Sequence, residues 1–252
     1  MSETTGPHSN GLSIKNRIGS IGPLQKFNQS KIVKTENDVD AVSGELCIYG
    51  RHVFMGYLND EKKTRDTFDE NGWLHTGDMA KIEDGFLYIT GRIKELIITA
   101  GGENIPPVPI EDNLKAELPR LISNSMVIGD KRKYLTILVT LKTVINLDTL
   151  QPTDDLMPDC IDYLKSLGSK STKLSEVLAT RDEVVYKAIE QGIKSINQKS
   201  TSNASKVQKF TILPRDFSLI TGELGPTLKL RRQIVNQMYT NEINQMYQQN
   251  EE

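Results

Sequence analysis

Gly91-Arg92-Ile93-Lys94-Glu95-Leu96-Ile97-Ile98-Thr99-Ala100-Gly101-Gly102 is the stretch on which the reading of this chain turns. The apolar run Leu96-Ile97-Ile98 lies between a charged Gly-Arg-x-Lys segment and a glycine pair, and continues into Glu103-Asn104-Ile105-Pro106-Pro107. This pattern predicts a short buried strand, introduced by a polar elbow and ended where backbone can approach a ligand closely. The character of the chain changes across it. Upstream, residues 40–90 are rich in strand signals, with Glu45-Leu46-Cys47-Ile48-Tyr49 and Phe86-Leu87-Tyr88-Ile89-Thr90 reading as half-buried strands. Asn71-Gly72 and Asp84-Gly85 are turn dipeptides, the second placed to join Ala80-Lys81-Ile82 to Phe86-Leu87-Tyr88 as a hairpin. A small twisted sheet or partial barrel is expected there.

Downstream the pattern is mixed α/β. Residues 109–118 open with proline and acids and carry Leu114 and Leu118 one helical turn apart, which predicts a helix. Residues 125–128 and 134–141 read as strands around the turn Gly129-Asp130-Lys131-Arg132. Residues 150–205 predict a helical insertion, clearest at 161–164 and 183–196, with Ser/Thr/Lys-rich breaks at 168–173 and 199–206. A strand over 207–213 is closed by Pro214, and a final helix is expected from Lys229, with Ile234, Met238 and Tyr239 on one face. The fold class is therefore α+β, in two parts: residues 1–92, and an α/β domain over 93–252 that carries the helical insertion. No internal repeat is visible.

Bulk properties narrow the function classes. The 252 residues suffice for one large domain or two modest ones, and a formal net charge of −2 lacks the basic excess of a nucleic-acid-binding chain. Two cysteines, Cys47 and Cys160, make no disulfide framework, so a reducing, cytoplasmic setting is expected. No apolar run approaches the ~18 residues of a membrane-spanning helix, while peripheral attachment to an intracellular membrane is left open. The start, Met1-Ser2-Glu3-Thr4-Thr5-Gly6-Pro7-His8, is a polar cluster ending in a Gly-Pro turn. Such clusters usually follow a strand, and none precedes this one.

Four clusters carry candidate chemistry, and each alone has a bland reading. Gly44-Glu45-Leu46-Cys47-Ile48-Tyr49-Gly50, with Gly56-Tyr57, is by itself a glycine-bounded strand. Trp73-Leu74-His75-Thr76-Gly77-Asp78 holds a carboxylate after a Thr-Gly turn, rigid enough to accept two vicinal hydroxyls, though an isolated Thr-Gly-Asp more often satisfies local amides. Arg92 and Lys94 alone would be surface charges flanking a strand. Pro226-Thr227-Leu228-Lys229-Leu230-Arg231-Arg232 alone would be the solvated first turn of a helix.

In this order the clusters resemble the motifs of acyl-adenylate-forming (AMP-binding) enzymes: acyl-CoA synthetases, peptide-synthetase adenylation domains and luciferases. Ser2-Glu3 through His8, together with Ile105-Pro106-Pro107-Val108-Pro109-Ile110-Glu111, resembles more narrowly the bubblegum group of long-chain fatty acyl-CoA synthetases. Most relatives place an acid where Pro109 stands, while Glu111 is retained. The resemblance implies that residues 1–92 end a large adenylating domain and that 93–252 form its mobile lid. It implies nucleotide contacts by Ser2, Asp78 and Arg92, with Asp78 on the ribose of ATP, and a Mg²⁺ held by Glu3 as one carboxylate among phosphate oxygens. Lys94 would be the hinge, Gly101 and Gly102 would line the path of CoA, and Lys229 would be catalytic, its ammonium bridging substrate carboxylate and α-phosphate. The substrates implied are a fatty acid, ATP and CoA. The family's Ser/Thr/Gly-rich phosphate loop with its lysine is missing from these residues; Thr4-Thr5-Gly6-Pro7 lacks the lysine and the glycines for an amide nest. A carboxy-terminal portion of a longer enzyme, inactive by itself, is therefore expected. The rival expectation is a non-catalytic interaction module using the insertion and the Gln/Asn-rich tail, which would not need Asp78, Arg92 and Lys229 together.

Overall fold

The computed structural model describes residues 1–9, 17–23, 27–34, 43–200 and 202–248, so residue 201 of the second predicted break and the tail at 249–252 lie outside the described residues. The described chain forms two compact units, Met1–Ile97 with Glu103–Pro106, and Ile98–Gly102 with Pro107–Glu252. Sequence reading divides the chain after Arg92; the two units interleave beyond that point, exchanging at 97/98, 102/103 and 106/107.

In the first unit, β1 (Gln29–Val33), β2 (Gly44–Tyr49), β3 (Leu74–Glu83) and β4 (Phe86–Arg92) form an antiparallel sheet in chain order. It is an open meander rather than a barrel. Asp84 and Gly85 both take positive φ, 50° and 79°, as a two-residue hairpin turn between β3 and β4 requires. Leu46, Ile48, Leu74, Ala80 and Leu87 form the core, with Ile32, Val53, Phe54 and Phe68 packed against it. Ile21 and Gly22 extend the sheet past β4 through the bonds Ile21 N–Leu87 O (2.9 Å) and Leu87 N–Gly22 O (3.2 Å). Helix α1 (Glu61–Thr67) is capped by the Asp60 side chain on the Lys63 amide and buries nothing.

The predicted strand 96–98 is shorter than expected. Arg92 leads into one 3₁₀ turn, Ile93–Glu95, and only Ile97–Ile98 (β5) is extended, paired with Asn104–Ile105 (β6).

The second unit begins with α2 (Pro107–Glu117), whose prolines fall where first-turn amides have no intrahelical acceptor. Strands β7 (Ile122–Ile128) and β8 (Leu135–Leu141) form the expected hairpin. Then β9 (Thr143–Ile145) pairs with β10 (Pro152–Leu156), so the predicted helical insertion opens with a strand. Pro152 and the acids Asp154 and Asp155 are poor helix formers, and the pairing with β9 decides their state. Helices α3 (Pro158–Leu167), α4 (Leu174–Thr180) and α5 (Glu183–Gln198) follow, broken at 168–173 as expected. Strand β11 (Val207–Ile212) joins β8 in parallel, giving the order β11-β8-β7.

All seven residues of β8 are buried, so both faces of this sheet are covered. Helix α5 approaches α2 so closely that a Cβ on Gly192 would lie 2.7 Å from a Leu118 methyl. The tail is two helices, α6 (Arg232–Met238) and α7 (Thr240–Gln248), rather than one beginning at Lys229. Their buried face is Val235, Tyr239, Ile243 and Met246, which pack on Met126, Ile128 and Leu138; Met238 is exposed. The expected face therefore corrects by one residue: Val235, not Ile234, takes the core position ahead of Tyr239. Cys47 and Cys160 are both free and buried. Among the described residues, no helix is long and apolar enough to cross a membrane.

Candidate functional site

Asp78 sits within β3 rather than after a turn. Gly77 takes φ 70° inside the strand, and its amide donates to Glu45 Oε1 (3.1 Å) instead of to the ladder, which shifts register beside it. Thr76 Oγ1 donates to Leu46 O (2.7 Å) and accepts from the Asp78 amide (3.1 Å). A glycine bulge pinned at two points thus presents the carboxylate. Its cross-strand neighbour is Arg92, whose Nε lies 3.1 Å from Asp78 Oδ1, with side-chain exposures of 55% and 20% respectively. The fold therefore brings together two residues that sequence separates by a whole hairpin.

The amino-terminal segment docks in the same unit. Thr4 bridges Val53, the Phe54 amide donates to Glu3 O (2.9 Å), and the Thr5 amide to His52 O (2.8 Å). Tyr57 Oη donates to Glu3 Oε1 (3.0 Å) and Ser2 Oγ to Oε2 (3.4 Å). Burial pushes the Glu3 carboxyl up, but its own amide and the Tyr57 and Ser2 hydroxyls outweigh this and hold it below the usual carboxylate range. Between this segment and the sheet lies a cleft of about 490 Å³, lined by Thr4, Thr5, His8 and Asp78 over an apolar floor that includes Ile48 and Leu87.

Sequence reasoning missed two participants. Tyr57, which positions Glu3, was visible only as the end of the Gly56-Tyr57 pair. His8 stands in the cleft wall, with Nδ1 3.0 Å from His52 Nε2 and Nε2 2.5 Å from Ser30 Oγ. Burial first, and His52 second, press its pKa down to about 4, so it is a neutral wall at physiological pH. Nothing in a lone His8 signals a partner 44 residues away.

Lys94 is exposed in the single 3₁₀ turn, which the bond Leu96 N–Ile93 O (3.3 Å) closes. In the second unit, Gly102 needs its φ of 80° for the turn Gly102 N–Thr99 O (2.9 Å), and a Cβ there would meet open space. A Cβ on Gly101 would approach only Thr99 Oγ1, at 3.8 Å. Both glycines border space, whatever fills it.

Lys229, also in the second unit, is exposed on a hairpin and not on a helix. The Gly225 amide donates to Lys229 O (2.8 Å), Arg231 N to Glu223 O (2.8 Å), and Leu224 bridges Leu230. These bonds consume the backbone groups that an earlier helix start would need. The base of the hairpin is anchored by Glu223, fully buried, which accepts from Thr221, Tyr239 Oη (3.0 Å) and Arg215 Nη2 (3.0 Å). Burial raises the Glu223 pKa, but these donors and its own amide outweigh it and keep the carboxylate ionised. Three residues beyond Lys229, Arg232 forms a bidentate pair with Glu111, both bonds 2.7 Å. Leu228, at the hairpin tip, takes φ 58° and is 66% exposed. A left-handed non-glycine residue costs about 1–2 kcal/mol, so Leu228→Gly should raise stability by up to about 1 kcal/mol in a denaturant melt, little burial being lost.

Comparison with known proteins gives a consistent outcome. Residues 94–178 match the family described as AMP-binding enzyme C-terminal domain. The chain is 54% identical over 249 residues to long-chain-fatty-acid–CoA ligase ACSBG2 of Xenopus laevis, covering 98% of this chain and 33% of that protein. To ACSBG1 of Homo sapiens, of the same description, it is 49% identical over 250 residues, covering 99% and 34%. The chain thus spans about a third of the length of these relatives. Among solved structures, the adenylation domain of a carboxylate reductase from Mycobacterium chelonae matches with TM-score 0.67 at 21% identity, over 90% of this chain and 32% of that one. ATP-bound MatB from Rhodopseudomonas palustris matches with TM-score 0.62 at 21% identity, over 95% and 39%. The fold is that of the adenylating enzymes, and residues 94–178 match the description of their carboxy-terminal domain.

Proposed function

We propose that this chain is the nucleotide-gripping end and mobile lid of a long-chain fatty acid–CoA ligase, converting fatty acid, ATP and CoA to acyl-CoA, AMP and pyrophosphate through an acyl-adenylate. The observation that carries the reading is the bulge-held Asp78, paired with Arg92, at a cleft walled by the Thr4–His8 segment. Asp78 would accept both ribose hydroxyls, and the Arg92 guanidinium beside it would face the nucleotide, with Ser2 supplying a hydroxyl. ATP in one structural neighbour and fatty-acid ligation in the named relatives support this. Glu3 fits a Mg²⁺ ligand, being ionised and oriented by Tyr57 and Ser2; when bound, the ion would offset phosphate charge. Lys94, on its single-bonded turn, would be the pivot, Lys229 the ammonium that the lid delivers for adenylation, and the Gly101–Gly102 edge the surface beside which CoA passes for thioester formation.

Hydrogen bonds to a charged group are worth about 1.5–3 kcal/mol, so Asp78→Ala in the complete enzyme should raise the KM for ATP by roughly 10–100-fold. An unchanged KM would remove Asp78 from the nucleotide site. The 252 residues contain no lysine-bearing phosphate loop. The purified chain alone should accordingly show no ATP–pyrophosphate exchange above background, and measurable exchange would overturn that part of the reading.

A further inference from the structure

Cys47 and His75 lie outside the roles assigned so far, and with Glu45, whose Oε1 also holds the Gly77 amide, they place donor atoms that all fall within 4.8 Å of one another. Glu45 and Cys47, two apart on β2, share a face, and His75 is the residue opposite Cys47 on β3. Cys47 Sγ is 3.5 Å from His75 Nδ1, and Glu45 Oε2 is 2.7 Å from the same nitrogen. We infer that these three side chains form a binding site for a thiophilic divalent cation of the zinc class, with water in the fourth position.

The donor geometry supports this. Metal–sulfur and metal–nitrogen bonds of about 2.3 and 2.0 Å at a tetrahedral angle separate the two donors by about 3.5 Å, the spacing already present. The Glu45 oxygen, now a hydrogen-bond acceptor, would need to open by about half an ångström as its carboxylate rotates. The donor set of one sulfur, one nitrogen and one carboxylate oxygen suits zinc and is unsuited to the hard cations that oxygen-only sites take. A supporting carboxylate is also in place. With the metal on Nδ1, the imidazole proton moves to Nε2, which faces Asp69 Oδ2 at 4.0 Å. Asp69 is itself fixed by the Asn71 and Trp73 amides and Lys31 Nζ, each at 2.9 Å. Cys47 is fully buried while the His75 side chain is 32% exposed, so entry is from the imidazole side. Binding releases the thiol proton to solvent. Because Glu45 Oε1 holds the Gly77 amide, occupancy of the site would bear on the bulge that presents Asp78.

The bland alternative is a hydrogen-bonded cluster, His75 donating to Glu45 beside an inert thiol. Cobalt(II) titration of the metal-stripped 252-residue chain separates the two. A thiolate-to-cobalt charge-transfer band saturating at one equivalent, and bleached by zinc, is the expected result. The chain has two cysteines, so the band should survive Cys160→Ser and vanish in Cys47→Ser. Asp69→Asn should weaken cobalt affinity about 10–100-fold. No band in the unsubstituted chain, or a band lost in Cys160→Ser, overturns the proposal even if Cys47→Ser fails to fold.

Discussion

Replacing Lys229 with alanine in the full-length protein is expected, on the proposed function, to lower the rate of ATP–pyrophosphate exchange roughly 10²–10³-fold, the loss typical of one preorganised donor of about 2.7–4 kcal/mol at a developing charge. Several features make this a clean experiment. The side chain is exposed, so its removal creates no cavity. The hairpin beneath is held by backbone bonds of Gly225 and Arg231, which the substitution leaves in place. Thermal melting should therefore be unchanged while exchange collapses. Thioester formation from supplied acyl-adenylate should suffer far less, because the role proposed for the ammonium lasts only while charge builds on the α-phosphate. Arginine should rescue poorly, since its planar fork does not replace a compact point charge on a flexible stem. If exchange survives Lys229→Ala, the lid carries no catalytic group at this position, and the sequence motif marks only a hairpin.

Glu111→Gln should produce the largest stability loss in the second unit. Glu111 and Arg232 have side-chain exposures of 7% and 18% and share two bonds of 2.7 Å, and Glu111 Oε1 also accepts the Val127 amide (2.8 Å). Removing one charge breaks a buried bidentate ion pair, which typically costs about 3–5 kcal/mol. For a unit of this size the melting temperature should fall by about 10 °C. The paired replacement Glu111→Leu with Arg232→Met should recover much of the loss, because burial of the ion pair is itself costly. A double-mutant cycle on denaturant melts measures the coupling, and a value near zero would show that solvent screens the pair. The pair joins the second turn of α2 to the first residue of α6, and α6 starts three residues after Lys229. Loss of either partner should thus also loosen the hairpin that carries Lys229.

Local signals were legible from sequence where the chain is local in its physics. The Asp84-Gly85 hairpin, the β7–β8 pair, the break at 168–173 and the strand closed by Pro214 all follow from turn chemistry and periodicity within a few residues. Two misreadings have the same origin. Residues 152–156 fall within the segment read as a helical insertion, yet pairing with β9 makes them a strand. The tail helix looks continuous from Lys229, yet the hairpin bonds to Glu223 and Gly225 hold those residues out of it. In both cases a tertiary partner supplied hydrogen bonds that local propensity does not see.

Sequence by itself determined the order of the motifs, the two-part α+β organisation and the candidate residues Asp78, Arg92, Lys94 and Lys229, because each depends on residue type and spacing along the chain. Only the tertiary structure decided that Asp78 faces Arg92 across a bulge, that Tyr57 steers Glu3, that Glu111 holds Arg232, and that Glu45, Cys47 and His75 converge. Those pairs lie 14 to 121 residues apart or are set by strand register, and a register is fixed by burial of a whole face rather than by any residue's neighbours in sequence.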